Sequence, residues 1–149
     1  MGILGKVTET GHGLILALQN ANSQNWNTIN GWTSETTYAG TTLKVLPDAA
    51  RGSNLTSYTT LGETAVSNWA VAQESDYAAI FTNLGSTSGY NDNVNAYITT
   101  GVGGSALSGQ YWSATQASNN ANNGRVFGSG YWLNYGKTNS KIVRPVLGF

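Results

Sequence analysis

The chain has 149 residues, enough for one domain with a sizeable core, and its 9 % of charged residues sum to a formal net charge of zero. That balance excludes a nucleic-acid binder, which needs a basic stripe, and a protein held on anionic lipid; 40 % hydrophobic content excludes a disordered chain. No cysteine occurs, so disulfide, thiolate and zinc–thiolate chemistry are excluded as well, and the redox compartment is left open.

Taken in order, Met1–Gly11 lacks a basic segment followed by an apolar one, so it is not a signal peptide; the chain either needs no export signal or is an excised domain. No apolar run approaches a membrane span. Gly13–Leu18 is a short apolar run after Gly-His-Gly and reads as a buried strand, with Lys6–Thr8 pairing to it as a hairpin around Thr10–Gly13. Asn20–Asn30 reads as a polar loop with Trp26 as its inward anchor. Trp32–Tyr38 suits strand or turn equally. Thr42–Arg51 places Leu43, Leu46, Ala49 and Ala50 at helical spacing, but Pro47 breaks any long helix. Gly52–Gly62 reads as a loop anchored by Leu55, Tyr58 and Leu61.

Asn68–Gly85 is the clearest predicted helix. Ser75 or Asp76 can cap it, Tyr77, Ile80, Phe81 and Leu84 form one apolar stripe, and Gly85 suits the left-handed position that ends it. A shorter helix is expected at Val94–Thr99, then a break at Gly101–Gly104. The C-terminal stretch predicts strands at Tyr111–Thr115, around Arg125–Phe127, around Tyr131–Leu133 and at Ile142–Leu147. Gly128-Ser129-Gly130 makes a hairpin turn, and Pro145 implies an edge position or a bulge in the last strand. These elements give an α+β fold.

Catalytic chemistry finds few candidates. His12 is the only histidine and sits between glycines, which favours a turn over a triad or a metal site. The seven acids lie between Glu9 and Asp92 and form no paired-carboxylate motif; Glu74 and Asp76 read as charges at a helix N-terminus. No calcium loop occurs, and Gly101-Val102-Gly103-Gly104 lacks the Lys-Ser/Thr of a phosphate loop. Neither an enzyme nor a metal or cofactor is expected.

Residues 111–149 look like frame and cargo. Aromatic and apolar residues (Tyr111, Trp112, Phe127, Trp132, Val143, Pro145, Val146) punctuate a run of Asn, Ser and Gly that carries isolated large side chains. Small polar residues with scattered Tyr are the composition of an adaptable contact surface, although Asn119–Asn123 can also be read as a plain solvated loop. Alternation places Trp132 in the core and Tyr131 and Leu133 on the opposite face; it also places Arg125 on the side of Phe127.

The frame Tyr111-Trp112-Ser113-Ala114-Thr115, Phe127, Gly130-x-Trp132, Lys137 and Val143-Arg144-Pro145-Val146-Leu147-Gly148-Phe149 resembles the C-type-lectin-like domains used as variable proteins of diversity-generating retroelements in bacteria and phages, which are related to pilus-tip domains. Gly11–Leu18, Asn68–Ala72 and Gly103–Ser108 are similar too, so the resemblance covers most of one domain spanning residues 1–149. It implies a small, twisted, mostly antiparallel sheet with two helices and long ordered loops. It also implies a variable binding region at about residues 111–149. In such systems adenines are rewritten, and an Asn codon altered at its first two bases never yields Trp, Met, Lys, Gln or Glu. Trp112, Gln116, Trp132 and Lys137 therefore belong to the frame. Ala117, Arg125, Val126, Gly128, Ser129, Tyr131, Leu133, Asn134, Tyr135 and Gly136 are the expected ligand-binding positions, with Asn134 readable as an unmutated codon.

The resemblance thus implies recognition of a protein or glycan on a cell surface by a protein displayed on a cell or a virion. Tyr131, Leu133 and Tyr135 would supply contact area and Arg125 a charge-assisted hydrogen bond. Alternatives are an assembly module at a pilus tip or fibre end and a calcium-independent lectin. Formylglycine-generating enzymes share the fold but need cysteine. Calcium-dependent sugar binding is disfavoured by the lack of acids after Asp92.

Overall fold

The computed structural model describes residues 2–51, 60–61, 64–65 and 68–149. Glycine and hydroxyl residues at Thr8–Gly11 turn the chain so that β1 (Gly2–Val7) and β2 (Gly13–Ala17) pair antiparallel, Val7 opposite Gly13 and Ile3 opposite Leu16. This is the expected hairpin, and His12 lies exposed in its turn. Leu14 and Leu16 are fully buried, so this ribbon forms one wall of the core.

Asn20–Asn30 is not a loop. It forms β3 (Ala21–Asn25) and α1 (Trp26–Gly31), because Asn25 caps the helix by accepting from the Thr28 N–H at 2.7 Å. Trp26 is buried, as expected. β4 (Glu35–Tyr38) and β5 (Thr41–Val45) pair as a hairpin. The helical spacing at Thr42–Arg51 is therefore misleading: Leu43 faces the core from a strand, and only α2 (Asp48–Arg51), after Pro47, is helical. Most of Gly52–Gly62, including Leu55 and Tyr58, lies outside the described residues; β6 (Thr60–Leu61) pairs with β7 (Thr64–Ala65).

The long helix starts later than its apolar pattern suggests. β8 (Ala70–Val71) takes the lead-in residues into the sheet, and α3 runs Glu74–Asn83. Neither Ser75 nor Asp76 caps it. The Glu74 N–H donates instead to Thr115 Oγ1 at 2.8 Å, a partner 41 residues away that local sequence cannot reveal. Tyr77, Ile80, Phe81 and Leu84 are buried as the stripe requires, and Gly85 ends the helix at φ +89°. α4 (Asp92–Ala96) continues into a π turn at Tyr97–Gly101, close to the expected second helix.

Four strands follow: β9 (Tyr111–Gln116), β10 (Asn123–Gly128), β11 (Tyr131–Gly136) and β12 (Ser140–Val143), then β13 (Val146–Gly148). The expected single strand at Ile142–Leu147 is in fact two strands in two sheets. Pro145 occupies neither an edge nor a bulge; with no N–H to offer a ladder, it sits where the chain crosses over. Arg144 clamps that crossing, donating to the carbonyls of Ala17 at 3.0 Å and Ser105 at 2.8 Å, and burial lowers its pKa from the usual arginine value.

One sheet has the order β1-β2-β13-β8-β5-β4 and the other β11-β10-β9-β12-β3; the pairs are antiparallel except β9 with β12. α3 ties the two together. The Ile80 side chain fills the space over Gly5 on β1, while Phe81 meets Phe127 on β10 at 5.0 Å. The fold is α+β, with mostly antiparallel sheets and few helices, four of them and a π turn among the described residues rather than two. Among those residues no helix is long and apolar enough to cross a membrane.

Candidate ligand-binding face

Ser129 and Gly130 form a two-residue turn, with Gly130 at φ +76°, between Gly128 and Tyr131. The register then follows: Phe127 opposite Trp132, Val126 opposite Leu133, Arg125 opposite Asn134 and Gly124 opposite Tyr135. Since side chains alternate, the hairpin has two rows. Arg125, Phe127, Trp132 and Asn134 form the row toward α3. Gly124, Val126, Gly128, Tyr131, Leu133 and Tyr135 form the row on the other side.

The first row is packed or paired. The Phe127 ring lies 4.8 Å from Tyr77, 5.1 Å from Tyr111 and 5.5 Å from Trp132. Trp132 itself is only half-buried, because β11 is the sheet edge; Trp112, on the inner strand β9, is fully buried. Arg125 forks onto Glu74, Nε to Oε2 and Nη2 to Oε1 both at 2.6 Å, and Nη1 donates to Asn134 Oδ1 at 2.8 Å. The Glu74 hydrogen bonds hold the guanidinium pKa above its ordinary value. Arg125 is therefore committed to the helix, as strict alternation suggested, and is not a free contact residue. Asn134 is tied into the same chain and on to Asn119 at 2.8 Å.

The second row divides by strand. Val126 is 0 % exposed, and Gly124 and Gly128 are buried, because β10 is an inner strand covered on both sides. A Cβ on Gly128 would overlap the Tyr131 ring, and one on Gly124 would overlap the Trp26 indole. Both glycines are thus seats for aromatic rings. Ala117, 2 % exposed, is buried at the base of the Asn-rich loop, with its N–H donating to Asn123 O at 2.9 Å. Ala117, Val126 and Gly128 consequently do not belong to an exposed face. Leu133, 41 % exposed, does, with Tyr131 and Tyr135 half-buried beside it and Tyr135 packed in part against the core. Ser129 is exposed at the hairpin tip, docked to the backbone of Tyr90, and Gly136 is half-buried at the far end of the strand.

Residues outside the expected set complete this face. Lys141 Nζ lies 3.4 Å above the Tyr135 ring centroid and donates to Gln110 Oε1 at 2.7 Å. Gln110 Nε2 in turn points to Tyr131 Oη at 3.4 Å. Lys137 Nζ lies 4.2 Å from the Trp26 ring centroid and donates to Gln116 Oε1 at 2.6 Å. A cleft of about 380 Å³ opens beside it, lined by Asn27, Asn122, Asn123, Lys137 and Thr138 among others. Gln110 and Lys141 gave no sequence signal, because they reach the face from the residue before β9 and from β12, whose placement is not written locally.

A second groove, about 540 Å³, lies between the end of α3 and α4 and is lined by Leu84, Asn93, Ala96 and Tyr97 among others. Among the described residues no three or more His, Cys, Asp or Glu side chains gather as metal ligands. No protein-family model matches the chain, and no curated protein sequence matches it.

Proposed function

We propose that the chain is a C-type-lectin-like recognition protein, displayed on a cell or virion surface, that binds a ligand through Tyr131, Leu133 and Tyr135 and is diversified at such positions by adenine-directed rewriting. It acts by binding, without catalysis. The observation that carries this reading is the sidedness of β11. Its three large Asn-reachable residues share one face of an edge strand, Leu133 exposed and the two tyrosines half-buried, with Tyr135 packed in part on the core. Trp132, which rewriting cannot produce, turns to the other face toward Phe127. Tyrosine is among the residues enriched at interface hot spots, and Leu133 adds exposed apolar area between the two.

Buried Val126, Gly128 and Ala117 narrow the rewritable set to β11, with Ser129 and Gly136 at its ends. The test is the neighbouring DNA. A near-copy of the codons for residues 111–149, carrying adenines at the β11 positions and lying beside a reverse transcriptase gene, is the expected result. Its absence there removes the diversification part of the proposal.

An assembly module is the second reading, favoured by one observation. Leu4, Val7 and Phe149 are each at least half-exposed on the β1–β2–β13 side of the large sheet, where β1 is an edge strand. A solution mass that doubles at micromolar concentration, and reverts in a Leu4→Lys variant, would support it.

A further inference from the structure

Charge is distributed over this molecule with a bias that net neutrality hides. No Asp or Glu occurs in residues 10–34 or 93–149, which between them supply α1 and every strand of the β11-β10-β9-β12-β3 sheet. The same sheet carries Arg125, Lys137 and Lys141 or holds them at its strand ends. Elsewhere cations are matched: Lys6 with Asp76, Lys44 with Glu35, Arg51 with Asp48, and Arg125 with Glu74 from the opposite side of the sheet. Arg144 is buried on backbone carbonyls. Lys137 and Lys141 remain, and among the described residues neither has an acidic partner.

Both flank Tyr135. Lys141 lies over its ring, and Lys137 is two residues further along the chain, in the turn that follows β11. Each ammonium is held in place by a glutamine carbonyl and an aromatic ring. An ammonium has three donors, so each keeps donors for an incoming acceptor, and the side-chain entropy of holding it is already lost before binding.

We infer that the ligand of this face is a protein that presents Asp or Glu carboxylates to Lys137 and Lys141 around a contact centred on Tyr131, Leu133 and Tyr135; this rests on the binding-face reading above. An apolar and aromatic centre bordered by cations is the layout of a protein–protein interface, and exposed Leu133 suits an apolar side chain better than a sugar hydroxyl. The Asn-lined cleft beside Lys137 has room for one acidic side chain, with amide donors around it. Two cations fall far short of the stripe that tracks a phosphate backbone. The expected consequence is steering: fast, salt-sensitive association.

The test is selection of a phage-displayed random peptide library on the immobilised chain. Enriched peptides should carry Asp or Glu beside an apolar residue. They should bind on the order of tenfold more weakly to Lys137→Gln/Lys141→Gln, and more weakly again as salt rises from about 50 to about 500 mM. Enriched peptides that are neutral or basic, or acidic ones indifferent to the double variant, overturn the inference, as does a library that yields no lysine-dependent binder while a glycan array does. Non-acidic peptides that lose binding in Tyr131→Ser/Leu133→Ser/Tyr135→Ser leave the binding-face reading standing and remove only the acidic partner. Peptides indifferent to that triple variant remove the face itself.

Discussion

Arg125 and Glu74 meet as a fork, two hydrogen bonds of 2.6 Å that join the middle of β10 to the first turn of α3. Both side chains are roughly three-quarters buried, at 23 % and 28 % exposure. The pair therefore lies between the weak exposed ion pair and the costly buried one. Glu74→Gln is expected to lower stability by about 1–2 kcal/mol, the range for a charge-assisted hydrogen bond that solvent partly replaces. A double-mutant cycle with Arg125→Ser in urea measures the coupling. Ligand binding should be unchanged in Arg125→Ser, because the guanidinium is spent on the helix side of the sheet.

The two tryptophans of the C-terminal frame should separate. Trp112 is fully buried and donates from Nε1 to Gln24 O at 2.9 Å, so Trp112→Ala should cost about 3–5 kcal/mol. Trp132 is covered on one side only, so Trp132→Ala should cost about 1–2.5 kcal/mol. Equal losses in chemical denaturation would contradict the edge position of β11.

Gly128 and Ser129 are neighbours with opposite tolerance. Any side chain on Gly128 meets the Tyr131 ring, so Gly128→Val should cost about 1–3 kcal/mol and weaken ligand binding by unseating that ring. Ser129→Val, at the exposed tip, should stay within about 0.5 kcal/mol. Thermal melts of the two variants, read together with ligand binding, make the comparison.

Stability should fall in alkali. Burial raises the pKa of Tyr77, Tyr38 and Tyr90 above the ordinary value of 10.0. For Lys6 burial opposes the charge, but hydrogen bonds to Tyr38 and Asp76 outweigh it and raise the pKa. In each case the folded state holds the proton more tightly than the unfolded chain. The associated stability is complete below the unfolded values and is lost as pH rises through the folded ones. Arg144, whose pKa burial lowers, contributes with the opposite sign. The urea midpoint should therefore decline from about pH 10 upward, and a Tyr77→Phe variant should decline less steeply.

What the sequence revealed follows how local the physics is. The β1–β2 hairpin, the stripe on α3 and the β10–β11 hairpin were legible, since each depends on turn residues and periodicity within one segment. The start of α3 was not, because its first N–H is capped by Thr115 from another sheet. The break at Pro145 was not, because apolar residues on both sides read as one strand while serving two sheets. On the face, alternation correctly separated Tyr131 and Leu133 from Trp132 and correctly placed Arg125. It could not separate Val126 from Leu133, which share a row and differ only in whether their strand is an inner or an edge one. Lys141 on β12 and Gln110 just before β9 are brought together by the long-range pairing of those two strands, which no local pattern encodes.

The central claim is that β11 carries a binding face that can be rewritten while the fold persists. The most direct measurement is the variant Tyr131→Ser/Leu133→Ser/Tyr135→Ser, melted and then assayed on the cells that the wild-type protein labels. Leu133 is exposed but the tyrosines are half-buried, so stability should fall by about 1–3 kcal/mol with a single cooperative transition. Labelling should fall by more than about a hundredfold, since aromatic anchors contribute about 2 kcal/mol or more each. A variant that no longer melts cooperatively would show these residues to be core, and a folded variant that labels cells as before would place the binding site elsewhere.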